Sequence, residues 1–385
     1  MSLTACTPVL TLHTAPVSEA SRAVITAAPA AQTGPVKPSA QINIAVAHGR
    51  LTDVAVDGPD GPVTGALAPD LASWTMRAAN LKYGATYRIT AEAVDDRGVS
   101  TSTTQAFETV DPKRYFDGAV TSPSAGSTVG VGMPITVAFD RKIKDRAAVE
   151  QALVVHTPTP ITGAWAWVDD RTVQFRPETY WPGNIPVSVD LDLVGVEAAP
   201  DVYGSADRTF DFTVGPSMVT TVDAQTHQAT VVRDGEVIRT IPITTGKAGF
   251  DTRSGVKVVM TKERTRVMDA ATTGTASNSP EYYRITVQYA MRLTNSGEFV
   301  HAAPWSVRSQ GYANVSHGCV GMSLENAQWL FDESSIGDVV EVTGTPNPQD
   351  LGNGITVWNE AWPQWLARSA TGAHLTVPPA PLVVS

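Results

Sequence analysis

The chemistry of this sequence is concentrated in two histidines and one cysteine. His301 is followed by fourteen residues and then by Ser316-His317-Gly318-Cys319. A free thiol has a pKa near ~8.5, so at neutral pH only a small fraction is thiolate. An imidazole beside it can accept the proton and later return it to a leaving amine. Gly318 removes a side chain where a backbone N–H must approach a developing oxyanion. Consecutive N–H groups around Gly318 and Cys319 are candidate oxyanion donors, each worth roughly 3–4 kcal/mol in such sites. The pattern points to nucleophilic acyl transfer. Spacing alone leaves three other readings open. One is a metal site of His301, His317 and Cys319, which lacks an obvious fourth ligand. The others are a Cys6–Cys319 disulfide and an inert buried thiol packed beside two histidines.

The elements that position these residues are mainly strands. The chain has 385 residues, enough for two or three domains. Hydrophobic residues make up 42% and charged residues 17%, which excludes wholesale disorder. A net charge of -10 argues against a nucleic-acid partner, which would need a basic face. No run of 18 or more apolar residues suggests a membrane-spanning helix. Residues 1–40 are rich in Ala, Thr, Pro and Ser, show no periodic face and read as a flexible tether. Leu3-Thr4-Ala5-Cys6 has the shape of a bacterial lipobox without its upstream basic and apolar segments. The expectation is a lipoprotein whose signal peptide is missing here, with Cys6 as the lipidated residue.

From 41 to 112 short alternating runs such as Tyr87, Ile89, Ala91 and Ala93 are separated by turn clusters, predicting a first immunoglobulin-like β-sandwich. The pattern repeats over 113–215, through Ile135, Val137, Phe139 and Ile185 to Leu193, predicting a second. Residues 216–345 continue in strands with one principal helix, capped by Ser323, built on Leu324, Ala327 and Phe331, and ended by Gly337. Segment 346–385 carries Trp358, Trp362 and Trp365 at i, i+4, i+7, predicting one helical face docked on the preceding domain, then a Pro-rich tail.

His301-Ala302-Ala303-Pro304-Trp305 with Ser316-His317-Gly318-Cys319-Val320 resembles the signature of the L,D-transpeptidases, the YkuD-type catalytic domain. The order of two sandwiches, catalytic domain and Trp-rich segment is similar to the actinobacterial, mycobacterial-type members. The resemblance implies a mainly β chain whose catalytic domain is itself a β-sandwich with one principal helix. It implies Cys319 as nucleophile, His301 as base and the Ala302 carbonyl as the group that orients the imidazole. Gly318 falls at the oxyanion hole. Tyr283 matches the tyrosine flanking the acyl site and Met268 a lid methionine. Ser296 and Gly297 match the pocket-lining pair, and Trp305 the aromatic wall. Ser316 and His317 complete the substrate-binding set. Where the family usually has Asn two residues after the cysteine, this chain has Gly321. Asn314-Val315-Ser316 is a formal glycosylation sequon, discounted because it lies inside the motif.

The activity implied is a peptidoglycan L,D-transpeptidase that makes 3→3 crosslinks through a cysteine thioester and is inhibited by carbapenems. Its partners would be donor and acceptor stem peptides, carbapenem β-lactams and, through the lipid anchor, the outer face of the cytoplasmic membrane. No metal or organic cofactor is implied. The rivals are an L,D-carboxypeptidase or protein-anchoring enzyme using the same thioester, and a wall-binding scaffold lipoprotein with a weakened site.

Overall fold

The structure is a computed structural model. It describes residues 19–378 apart from 32, 33, 78 and 79, so Cys6 lies outside the described residues. The chain divides into two compact units, 1–113 and 114–385.

The first unit is a β-sandwich. One sheet runs in the order Val24–Ala28, Asn43–Ala47, Ser73–Met76, Gly65–Leu67, and the other Gly61–Pro62, Arg50–Gly58, Thr86–Val94, Ser100–Glu108. Alternation drives it: Tyr87, Ile89, Ala91 and Ala93 are buried, while Arg88 and Glu92 between them face out. The tether expected over residues 1–40 is corrected for the described part of that span, and the rest lies outside the described residues. Val24–Ala28 pairs with Asn43–Ala47, and Val36 bridges to Thr109. The strand is hard to see in the sequence because its inward positions, Ala23, Ile25 and Ala27, include two residues too small to mark a buried face.

The second unit holds another sandwich and a strand-rich domain with one long helix. The sandwich core packs Trp165, Phe175 and Trp181 between its two sheets, and Val339 of the following domain enters the same cluster. The two parts are stitched by backbone bonds from Gly130 to the Ile336 carbonyl (2.8 Å) and from Gly132 to the Gly337 carbonyl (2.9 Å). Tyr180 adds a 2.7 Å bond to Glu341.

The C-terminal domain has a five-stranded sheet, Glu236–Pro242, Gln228–Arg233, Met218–Asp223, Val339–Thr343, Gly255–Val258. A four-stranded sheet, Thr261–Asp269, Arg284–Arg292, Phe299–Ala302, Val320–Met322, packs against it. The helix is Leu324–Glu333. Ser323 Oγ accepts the Asn326 N–H at 3.2 Å, the expected cap, and Ala327, Leu330 and Phe331 are buried. Gly337 does not end it. The chain turns extended at Ser334, and Gly337 serves the junction with the second sandwich instead.

The tryptophan segment also differs from expectation. It forms two short helical turns, Val357–Asn359 and Trp362–Leu366, and docks mainly on the second sandwich rather than on the domain before it. Trp358, Trp362 and Trp365 surround the Arg176 guanidinium, each ring centre 4.9–5.0 Å away. Trp365 is fully buried against Ala164 and Ala166. The indoles go where a buried cation offers cation–π attraction. Asn359 ties the same segment to both backbone groups of Val256 in the C-terminal domain.

Candidate active site

Two adjacent parallel strands bring the motif together. His301 lies on Phe299–Ala302, opposite Gly321 of Val320–Met322, and Cys319 immediately precedes that second strand. The connection over 303–319 is long because a parallel pairing cannot be closed by a tight hairpin. Other segments of the domain hold the loop. Asn314 donates to the Ala224 carbonyl (2.8 Å) and accepts from Thr245 N–H (3.0 Å), which leaves the sequon asparagine committed to structure.

His301 is buried, and its Nδ1 lies 2.8 Å from the Ala302 carbonyl. A carbonyl only accepts, so Nδ1 carries the proton and Nε2 is the basic nitrogen. Burial lowers the imidazole pKa, with the Ala302 carbonyl opposing. Cys319 is a buried free thiol whose pKa burial pushes up to about 11; the Phe299 N–H and Lys257 oppose this and Glu298 adds to it. The resting pair is therefore neutral thiol and neutral imidazole. Its chemistry would be proton transfer concerted with attack rather than a standing thiolate.

Two cavities meet at these residues. An inner one of about 310 Å³ is lined by His301, Cys319, Met268, Ile285, Trp305 and Gly321, among others, and is largely apolar. An outer one of about 520 Å³ is lined by Ser296, Gly297, Gly318 and the charged Asp251, Arg253 and Asp350. Tyr283 and His317 line both. Met268 packs in the cluster that contains Cys319, and the Trp305 ring, 60% exposed, stands 6.1 Å from the His301 ring. Gly297 places its carbonyl 3.8 Å from Cys319 Sγ. Its φ of +102° and the Thr273 methyl 3.1 Å from any Cβ explain a glycine there.

The Gly318 amide, a candidate oxyanion donor, already has a partner. Its N–H donates to Ser316 Oγ at 3.1 Å, and that hydroxyl donates to the Cys319 carbonyl at 2.6 Å. Ser316 is thus a staple of the cysteine loop, and the Gly318 amide is occupied. The Tyr283 hydroxyl lines both cavities and has no hydrogen-bond partner among the described residues. Burial, then the neighbouring Cys319, raise its pKa, so it stays a donor.

Several residues at the site carry no sequence signal. Glu281, on the flap between Asp269 and Tyr283, reaches His317 Nε2 and Lys247 Nζ, both at 2.6 Å. Phe250 and Tyr283 both pack on His317, with ring centres 4.7 and 4.9 Å away. Beneath the cysteine, the fully buried Lys257 pairs with Glu298, which Arg253 also contacts. Asn353 braces the Ser296–Gly297 turn through two 2.9 Å bonds to Ser296. Among the described residues, no three His, Cys, Asp or Glu side chains are grouped as a metal would require, and no helix is long and apolar enough to cross a membrane.

A buried thiol and an imidazole facing one cavity, on paired sheets that follow two sandwiches, define a candidate cysteine-nucleophile site. Comparisons agree. The L,D-transpeptidase catalytic domain family matches residues 217–342, and a bacterial Ig domain family matches 33–197, a span that reaches across both sandwiches. L,D-transpeptidase 2 of Mycobacterium tuberculosis is 36% identical over 333 residues, covering 86% of this chain and 81% of the relative. L,D-transpeptidase 1 of the same organism is 42% identical over 226 residues, 59% of this chain and 84% of the relative. A solved L,D-transpeptidase in complex with imipenem is 42% identical, with a TM-score of 0.51 over 59% of this chain and 99% of that one. The chain belongs to the L,D-transpeptidases.

Proposed function

We propose that this enzyme forms 3→3 crosslinks between peptidoglycan stem peptides through a thioester on Cys319. The observation that carries this is the 2.8 Å bond from His301 Nδ1 to the Ala302 carbonyl, which leaves Nε2 basic in the cavity that Cys319 lines. His301 takes the thiol proton as Sγ attacks the carbonyl of the third stem residue. The C–N bond to the terminal D-Ala breaks, and the amine leaves with the proton from His301. The amine of an acceptor stem then attacks the thioester, its proton passes to His301, and the thiolate leaves and is reprotonated. The Tyr283 hydroxyl is the donor best placed on the wall to meet the oxyanion. Two cavities sharing the Tyr283–His317 wall give room for two peptide arms, which favours crosslinking over hydrolysis.

Imipenem bound to a relative supports acylation of this chain by carbapenems. The test is intact mass after incubation with imipenem. A single adduct, absent in Cys319→Ala, is expected; no adduct on the native enzyme would overturn the reading. A disaccharide-tetrapeptide substrate then separates crosslinked dimer from hydrolysed tripeptide by mass. Leu3-Thr4-Ala5-Cys6 supports a lipid anchor on the outer face of the cytoplasmic membrane, checked by palmitate-analogue labelling of cells carrying the native protein or Cys6→Ser.

A further inference from the structure

A chain of net charge -10 gathers five of its 28 Lys and Arg residues around one cavity that shares no lining residue with those at the thiol. The cavity, about 530 Å³, lies on the second sandwich and is lined by Arg114, Arg141, Lys142, Lys144 and Arg171, with Asp140 as its one acid. The cations come from separate segments. Arg114 opens the strand Arg114–Phe116, residues 141–144 follow Ile135–Phe139, and Arg171 sits in the turn before Thr172–Pro177. The start of Ile135–Phe139 is near the Gly132 junction with the catalytic domain. Its five residues, roughly 16 Å of strand, carry the chain to the opposite end, where the cavity is.

The three guanidinium groups are positioned but not neutralised. Arg114 donates to the Pro200 carbonyl (3.3 Å), Arg141 to the Tyr115 carbonyl (2.6 Å) and Arg171 to the Asp140 carbonyl (3.3 Å). None pairs with a carboxylate among the described residues, and Lys144 Nζ has no partner there. Lys142 is the exception, held by Asp170 at 2.6 Å. Three further acids nearby keep their charge but direct a carboxylate oxygen to a backbone N–H rather than to these guanidinium groups. Asp140 accepts from Asp117 N–H (2.8 Å), Asp169 from Arg171 N–H (2.7 Å), and Asp145 caps the helix at Ala148 (3.0 Å). The five cations outnumber the carboxylates of Asp140, Asp145, Asp169 and Asp170 beside them, and this local excess of positive charge draws in anions. A guanidinium already fixed by one carbonyl loses little freedom when its remaining N–H groups meet an oxyanion. Forked N–H donors match the tetrahedral oxygens of phosphate.

We propose that this cavity is a binding site for phosphate oxyanions, whether presented on a soluble phosphate polymer or on an anionic phospholipid headgroup. It would hold the enzyme's non-catalytic arm to such a surface while leaving the thiol free.

The test titrates the full chain with inorganic polyphosphate by calorimetry at 50 and 300 mM salt. Parallel sedimentation uses vesicles of phosphatidylglycerol or phosphatidylcholine. Binding at low salt that weakens at high salt is expected. The pair Arg141→Gln/Arg171→Gln should lower affinity at least tenfold. The pair Arg50→Gln/Arg88→Gln, exposed in the first unit, makes the same charge change and should leave it within twofold. Retained imipenem acylation and an unchanged melting temperature show that the variants are folded. Polyphosphate binding alone supports the soluble source, and site-dependent pelleting with phosphatidylglycerol supports the lipid source. No binding in either arm, or equal loss from both variant pairs, overturns the proposal.

Discussion

Glu281 Oε2 lies 2.6 Å from His317 Nε2 and 2.6 Å from Lys247 Nζ, so one flap carboxylate latches two separate loops across the entrance to the Cys319 cavities. Lys247 and His317 together hold the Glu281 carboxyl below the usual carboxylate range. The groups are partly exposed, so each contact is worth little alone. What the latch fixes is the position of Tyr283, two residues further on.

Glu281→Gln should raise the imipenem concentration needed for half-maximal acylation about 3- to 10-fold while leaving the limiting rate within twofold. Lys247→Ala should do the same, and the double variant should be less than additive because both act through one oxygen. Stopped-flow acylation checks this, with hydrogen exchange of residues 270–282 reporting flap opening.

The pH profile of acylation follows from a neutral resting pair. Below the pKa of His301 the imidazole is protonated and cannot take the thiol proton, so the rate falls as pH drops. Burial lowers that pKa, which places the midpoint below the ordinary imidazole value near ~6.5. With the thiol pushed up to about 11, no titration of Cys319 is expected between pH 7 and 9. A thiolate–imidazolium pair would instead let iodoacetamide label Cys319 rapidly at pH 6.

Lys257→Met should destabilise the protein by about 3–5 kcal/mol, because it leaves Glu298 buried with only Arg253 near its other oxygen. Lys257→Met/Glu298→Met should recover much of that loss, since the stranded charge is gone. Urea unfolding of the native protein and the two variants checks this.

Gly321 lines the inner cavity, and a Cβ there would meet the Ala303 Cβ at 3.0 Å and the Thr244 methyl at 3.1 Å. Gly321→Ala should therefore cost about 1–2 kcal/mol through overpacking and slow acylation several-fold. Gly321→Asn should slow it further unless Thr244→Ser accompanies it. Acylation rate and thermal melting read both effects.

The sequence by itself determined the chemistry and the strand content. A thiol and an imidazole at fixed spacing in the Ser316–Cys319 motif, and alternation such as Tyr87 to Ala93, are local patterns. Local patterns survive in one dimension because side-chain period and reactivity belong to the residues themselves. The catalytic-domain helix was legible in the same way from Ser323, Ala327 and Phe331. An edge strand with small inward residues, Val24–Ala28, was not. Nor was the end of the helix, since Ser334 turns extended before the glycine is reached.

Only tertiary structure decided what surrounds the thiol. Glu281 meets His317 across 36 residues, Lys257 meets Glu298 across 41, and the tryptophans reach Arg176 from almost 190 residues away. The Gly318 amide proved to be occupied by Ser316, a matter of loop geometry that residue types do not encode. The five cations around Arg141 form a site only because strand ends converge there. Such contacts depend on the path of the chain in space, and no periodicity within any one segment reports it.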